Sequence, residues 1–170
     1  MKISTKILML FIGVFVMQHV QAQMEFIQNK GQWDNKVEYK GDFSTGTFFI
    51  ENQGFTVVLH NTDDLKKVSD RMHGSSRVTP TSFQPVILNS HAYKVKFLGG
   101  NSFAKSTRDK IQARHNNYFI GNDQSKWAAD CKIAQAVSYQ NIYPNVDLRY
   151  YSDGGRMKYD IVVHPGGNVN

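Results

Sequence analysis

Apolar and polar positions alternate with a period of two over most of the chain, as in strands with one buried and one wet face. "VEYKGDF" (37–43) sets Val37 and Tyr39 against polar neighbours. "GTFFIENQGFTVVLH" (46–60) reads as a hairpin whose turn is Asn52-Gln53-Gly54, with Gly54 free to take a positive φ. "HAYKVKFLGG" (91–100) puts His91, Tyr93, Val95 and Phe97 on one face and Lys94 and Lys96 on the other. "NNYFIG" (116–121) is a short apolar run, and "CKIAQAVSYQ" (131–140) carries Ile133, Val137 and Tyr139 on one side. One segment breaks the period. In "NTDDLKKVSDRMHG" (61–74), Asn61 or Thr62 can cap a helix, and Asp63 and Asp64 suit its first turn. Leu65, Val68 and Met72 form a narrow apolar stripe, and Gly74 can end the helix. "SSRVTPTSFQP" (75–85) then reads as a loop, and a second short helix or turn fits "DQSKWAAD" (123–130). Many short strands with frequent turn signals predict an all-β, sandwich-like, mostly antiparallel domain with one short helical insertion near 62–73.

The segment "VDLRYYSDGGRMKYDIVV" (146–163) allows its register to be worked out. With Gly154-Gly155 as a two-residue turn, Arg149 faces Asp160, Asp153 faces Arg156, Tyr150 faces Tyr159 and Leu148 faces Ile161. A shift of two would set Arg149 against Lys158 and Asp147 against Asp160, both like-charge pairs. Cross-strand pairs contribute ~0.2–1 kcal/mol each and like charges cost a comparable amount, so the first register is preferred. It predicts an Arg149–Asp160 ion pair.

The alternation begins only after residue 22. The chain opens with Lys2 and Lys6, then the apolar run "ILMLFIGVFVM" (7–17), then "VQA" ending at Ala22. This is the three-part pattern of a secretory signal peptide, cleaved between Ala22 and Gln23. The run is too short for the ~20 residues of a spanning helix, so no membrane span is expected after cleavage. Residues 23–170 are then one β-rich domain in an exported protein, placed in the periplasm, on the outer-membrane surface or outside the cell. Losing the two leader lysines lowers the formal charge from +6 to +4. The basic residues are scattered among carboxylates and make no stripe, which argues against a nucleic-acid partner. Cys131 is the sole cysteine, so the fold rests on its apolar core and not on disulfides. Cys131 itself reads as a small buried hydrophobe, since "ADCKIAQ" offers no activating histidine.

No nucleophile elbow, zinc-protease helix, phosphate-binding glycine loop or calcium loop is present. His60, His73, His91, His115 and His164 lie far apart, and none has a His or Cys at ligand spacing. No metal, cofactor or catalytic residue is therefore assigned, and His91 reads as a hydrogen-bonded histidine at the edge of the core. Three weaker candidates for ligand binding stand out. Trp33 and Trp127 could form a sugar-stacking platform, although aromatics in alternating strands more often pack in cores. Asp147, with Asp160, could form a glycosidase pair, which needs carboxyls ~5–9.5 Å apart, or simply sit on a charged wet face.

"FIQNKGQW" (26–33), "HAYKVKFLG" (91–99), "NYFIGNDQSKW" (117–127) and "YQNIYPNVDLRYYSDGGRMKYDIVVHPG" (139–166) occur in this order. Together they resemble the N-terminal domain of unknown function of large exported Bacteroidota proteins. In those proteins it often precedes β-propeller-type repeats, immunoglobulin-like modules and a gliding-motility-associated or type IX secretion sorting domain. The resemblance brings no catalytic residues with it. It implies further strands and domains beyond Asn170, and so a C-terminally incomplete domain. The expected role is a non-catalytic structural or interaction module, linked to adhesion or gliding. Its partners would be downstream domains, cell-surface components or glycans. A carbohydrate-binding module is the alternative reading, and a hydrolase using Asp147 and Asp160 is a remote one.

Overall fold

The computed structural model describes residues 23–73 and 85–168. The leader, Ala22, Gly74 and most of the 75–85 loop lie outside the described residues. The strands are β1 (Phe26–Gln28), β2 (Val37–Phe43), β3 (Gly46–Glu51), β4 (Gly54–His60), β5 (Ser90–Lys96), β6 (Ser106–Asp109), β7 (His115–Tyr118), β8 (Ala128–Ala134), β9 (Ala136–Tyr143), β10 (Val146–Asp153) and β11 (Arg156–Val163). Among the described residues one helix, α1 (Thr62–His73), lies between β4 and β5 in chain order. A single 3-10 turn at Gln124–Lys126 follows Asp123, whose carboxylate accepts from Ser125 N. Seven strands form one sheet in the order β5-β4-β3-β2-β1-β8-β7, and four form the other, β11-β10-β9-β6. Every pair is antiparallel, so the architecture is an open β-sandwich with one short helix.

The core lies between the sheets. Phe26, Tyr39, Phe48, Ile50, Phe55 and Val57 come from the large sheet, and Val137, Tyr139, Val146, Leu148 and Tyr150 from the small one. Burying each such side chain contributes roughly 1.5–3 kcal/mol. Tyr150 sits at the centre, with ring centroids 5.7 Å from Phe48 and 6.1 Å from Phe55 and Tyr139. The buried hydroxyls stitch the layers together. Tyr139 donates to Glu38 at 2.8 Å, and Tyr39 meets Ser106 at 3.1 Å. Burial pushes the phenols of Tyr139 and Tyr150 well above their ordinary range, with Glu38 adding to the shift at Tyr139. Both therefore stay neutral, as a dry core requires.

The hairpin 46–60 forms with Asn52-Gln53 as its two-residue turn. Gly54 is present for space. A β-carbon there would lie 2.1 Å from the carbonyl oxygen of Val95 on β5. The hairpin 146–163 takes the expected register throughout, from Val146↔Val163 to Asp153↔Arg156. Gly154 and Gly155 turn it with φ of 59° and 73°, which suit a type I′ turn.

Two expectations change. Residues 131–140 are not one strand: the chain leaves the large sheet after Ala134 and enters the small one at Ala136. Gln135 is the corner, its N–H donating to Asp109 O at 3.2 Å, and the small side chains on either side let the chain bend within the core. Helix α1 is not held by its apolar stripe. Leu65 and Val68 are half-buried and Met72 is exposed. Asn61 caps the helix by accepting from the N–H groups of Asp63 and Asp64, both at 3.0 Å. The buried Asp64 then accepts from Asn89 N at 3.2 Å, Asn89 Nδ2 at 2.8 Å and Lys67 Nζ at 2.8 Å. These donors, Lys67 first, lower the Asp64 carboxyl to about 2.

Candidate functional site

The acids of the last hairpin are occupied by structure. Asp147 accepts from Asn141 N at 2.8 Å, and its other oxygen lies 2.9 Å from His164 Nε2. The backbone N–H of Asn141, then His164, lowers its carboxyl below the ordinary value. A carboxylate held ionised in this way suits a brace between the ends of β10 and β11 and does not suit a proton donor. Asp160 faces Arg149 in register, as expected, but the ion pair is not made. Arg149 instead reaches Asp109 Oδ2 at 3.5 Å and lies 5.3 Å over the Tyr151 ring, while the Tyr151 hydroxyl donates to Asp160 at 3.2 Å. The cause is the neighbouring strand. Asp109 and Tyr151 both pair with Ala136, whose small side chain lets long groups meet across β9. Asp153 pairs diagonally with Lys158 at 2.5 Å rather than with Arg156.

Cys131 is fully buried, and burial pushes its thiol up, the opposite of what a nucleophile needs. His91 lies exposed on the edge strand β5. Among the described residues no group of three or more His, Cys, Asp or Glu could hold a metal ion. Among them, too, no helix is long and apolar enough to cross a membrane.

Trp33 and Trp127 do not enter the core. Trp33 is half-buried beside the outer face of the large sheet, edge-on to Tyr118 at 5.3 Å and 5.4 Å from Lys40 Nζ. It borders a groove of about 430 Å³ with Val37, Phe49, Asp34, Glu51 and Thr56. Trp127 is exposed, donates through Nε1 to Gly121 O at 3.2 Å, and packs on the exposed Phe119 at 5.8 Å. The two tryptophans therefore flank β7, and each has its own aromatic neighbour.

The feature that alternation alone did not reveal is an uncovered seam. Along β10 the inward residues Val146, Leu148 and Tyr150 are 3%, 2% and 0% exposed. Their partners on β11, Val163, Ile161 and Tyr159, are 43%, 54% and 44% exposed. Among the described residues β11 ends the small sheet and pairs only with β10. β5 likewise ends the large sheet, and its inward Tyr93 is exposed and Val95 only half-buried. Ring contacts place β11 over β4: Tyr159 meets Phe55 at 5.6 Å. β5 lies one strand further out, so the large sheet projects beyond the small one. At the turn end the step opens into a cleft of about 360 Å³ lined by Met24, Phe43, Phe48, Leu59, Tyr93 and Met157.

A family described as a domain of unknown function (DUF7948) matches residues 26–170. The chain belongs to that family. The match starts at Phe26, the first residue of β1, and takes in all eleven strands of the described residues, so the DUF7948 region and the sandwich coincide. No curated protein and no solved structure matches the chain. The seam, the Trp33 groove and the brace at Asp147 are therefore features of a domain whose family description assigns no activity.

Proposed function

We propose that this chain is a non-catalytic interaction module of an exported surface protein, and that its working surface is the seam along β11 and β5. The observation that carries this is the apolar inward face of β11, about half exposed on an edge strand with no second neighbour among the described residues. Exposed apolar patches beside an open edge mark interaction sites or association hazards. The leader-like residues 1–22 and the ordering of the "FIQNKGQW", "YFIGND" and "YPNVDLRYY" blocks support export and a place in a large Bacteroidota surface protein, linked to adhesion or gliding. The hairpin acids support a role without catalysis, because Asp147 is taken up by Asn141 and His164.

The test is thiol labelling of an Ile161→Cys variant, with Ser125→Cys as an exposed control. Both label rapidly in the isolated protein. On intact producing cells Ile161→Cys is protected while Ser125→Cys is not. Equal labelling at both positions on cells would sink the reading. N-terminal sequencing of the exported protein is expected to begin at Gln23, and an intact Met1 would remove the export assignment.

A glycan-binding reading is favoured by one observation, the groove beside Trp33 with polar Asp34, Glu51 and Thr56 on its rim. Tryptophan fluorescence titrated with cell-surface polysaccharide would then shift, and the shift would vanish in Trp33→Ala. A response unchanged by Trp33→Ala and Trp127→Ala would dismiss it.

A further inference from the structure

Two features of the edge specify what the seam accepts. The first is hydrogen bonding. In an antiparallel ladder alternate residues turn their backbone groups toward one neighbour and the rest toward the other side. A two-residue hairpin closes on a hydrogen-bonded pair, here Asp153↔Arg156. At the far end His164 N donates to Asn145 O at 2.9 Å, on the same register. The even-numbered residues of β11 therefore face β10. Met157, Tyr159, Ile161 and Val163 present their N–H and C=O groups at the free edge, and these same residues carry the inward apolar side chains. The second feature is the step between the sheets. β11 lies over β4, and β5 projects one strand beyond it with Tyr93 and Val95 facing inward. The space is one strand wide, with a hydrogen-bonding wall and an apolar floor.

Charge then selects the sequence. The wet face of β11 runs Arg156, Lys158, Asp160, Val162. Arg156 has no ion pair among the described residues, and Lys158 holds Asp153. A strand lying against β11 meets two cations near the turn and one anion beyond them. Opposite charges directly across a strand pair are favourable and like charges are not. Self-pairing is disfavoured by the same step. A second copy's β11 would arrive with its own large sheet, whose projecting β5 would compete for the space beneath.

We infer that the slot between β11 and β5 binds a single extended polypeptide strand. That strand is apolar at alternate positions, with acidic residues facing Arg156 and Lys158. It becomes the fifth strand of the small sheet and covers Tyr159, Ile161, Tyr93 and Val95. This is β-strand addition, in which main-chain bonds supply affinity and alternate side chains supply specificity. The inference rests on the seam being the working surface, and its test separates the two.

The probe is the peptide Val-Thr-Val-Lys-Val-Glu-Val-Glu, written to run antiparallel to β11, with a charge-inverted control in which Lys and Glu are exchanged. Amide exchange followed by NMR on the whole chain reads the edge directly. With the matched peptide, the N–H groups of Tyr159, Ile161 and Val163 slow by about tenfold or more, as expected for amides newly placed in a ladder. The inverted peptide gives less protection. Lys158→Glu together with Arg156→Glu reverses that preference, while Ile161→Lys abolishes binding of both. No protection with either peptide would overturn the strand-slot inference. So would protection that rises with protein concentration alone, since that assigns the edge to a second copy. Protection of Ile161→Cys on cells without peptide binding would leave the seam a docking surface and reject only the strand.

Discussion

β10 and β11 are two strands of one hairpin, joined by two glycines and paired residue for residue. Their inward residues are equally apolar: Val146, Leu148 and Tyr150 against Val163, Ile161 and Tyr159. The first set is sealed in the core and the second is roughly half open to water. Local pattern is therefore equal, and position in the sheet decides burial. β10 has β9 on its other side and Phe48 and Phe55 beneath it, whereas among the described residues β11 has only the rim of the large sheet. Alternation states which face is meant for burial. It is silent on whether this chain supplies the cover.

The largest expected effect separates the two strands outright. Tyr150→Ala removes a fully buried ring that touches Phe48, Phe55 and Tyr139, and the loss is about 3–5 kcal/mol. Tyr159→Ala removes a ring of the same size whose outer half is already wet, and costs about 1 kcal/mol or less. Chemical denaturation midpoints of the two variants measure the difference. Equal losses would mean that β11 is covered in solution, and the contrast drawn above would fail.

The next effect is smaller in stability and larger in behaviour. Ile161→Lys exposes a charge where the apolar side chain is already half exposed, so unfolding shifts by only about 0.5 kcal/mol. An inward charge on an edge strand is also a recognised guard against edge-to-edge association. The unaltered chain from residue 23 is expected to be marginally soluble through loose contact of its exposed apolar side chains, without the ordered β11–β11 ladder that the projecting β5 opposes, and the variant to stay monodisperse in light scattering. Leu148→Lys on β10 would unfold the protein instead. A monodisperse, freely soluble parent chain would show that the exposed seam carries no such hazard.

How far this molecule could be read from its residues follows the same division between local and distant information. Turn chemistry and charge pairing set the register of 146–163 and the hairpin of 46–60, because both depend on neighbours in sequence. The cap at Asn61 was also legible, since it acts on N–H groups two and three residues on. The sheet change at Gln135 was not. Ile133, Val137 and Tyr139 keep their alternation across it, so no local signal marks the corner. β6, "STRD", is four polar residues and carries no strand pattern; it exists because β9 offers it an edge. The Arg149 partner was missed for a related reason: Asp109 lies across β9 and is brought near only by the sheet. At the candidate site, Asp147, Trp33 and Trp127 could be named from residue type, but their partners His164, Tyr118 and Phe119 are products of the fold. The seam, an edge left uncovered among the described residues, has no residue of its own to announce it.

The smallest effect distinguishes the two ends of the same hairpin. The turn end is closed by Gly154-Gly155, and the open end by the Asp147–His164 contact at 2.9 Å. Asp147 is lowered in the folded protein, first by Asn141 N–H and then by His164. A carboxyl depressed on folding contributes stability that is fully present above its unfolded value, near 3.9. That contribution fades as pH falls below the unfolded value and through the depressed folded one. The brace is thus intact at neutral pH and weakens in acid, below about pH 4. Asp147→Asn removes it at every pH, with a global cost of about 1 kcal/mol or less, because the contact is partly exposed. The local effect is the clearer one. The His164 N–H, bonded to Asn145 O, is expected to exchange faster in Asp147→Asn at pH 7, while the Arg156 amide at the turn end is unchanged. Lowering the parent protein from pH 5 to pH 3 moves it toward the variant, once exchange is corrected for its intrinsic pH dependence. If both ends responded alike, the hairpin would open as one unit, and the brace would have no separate role in holding β11 in place beside β10.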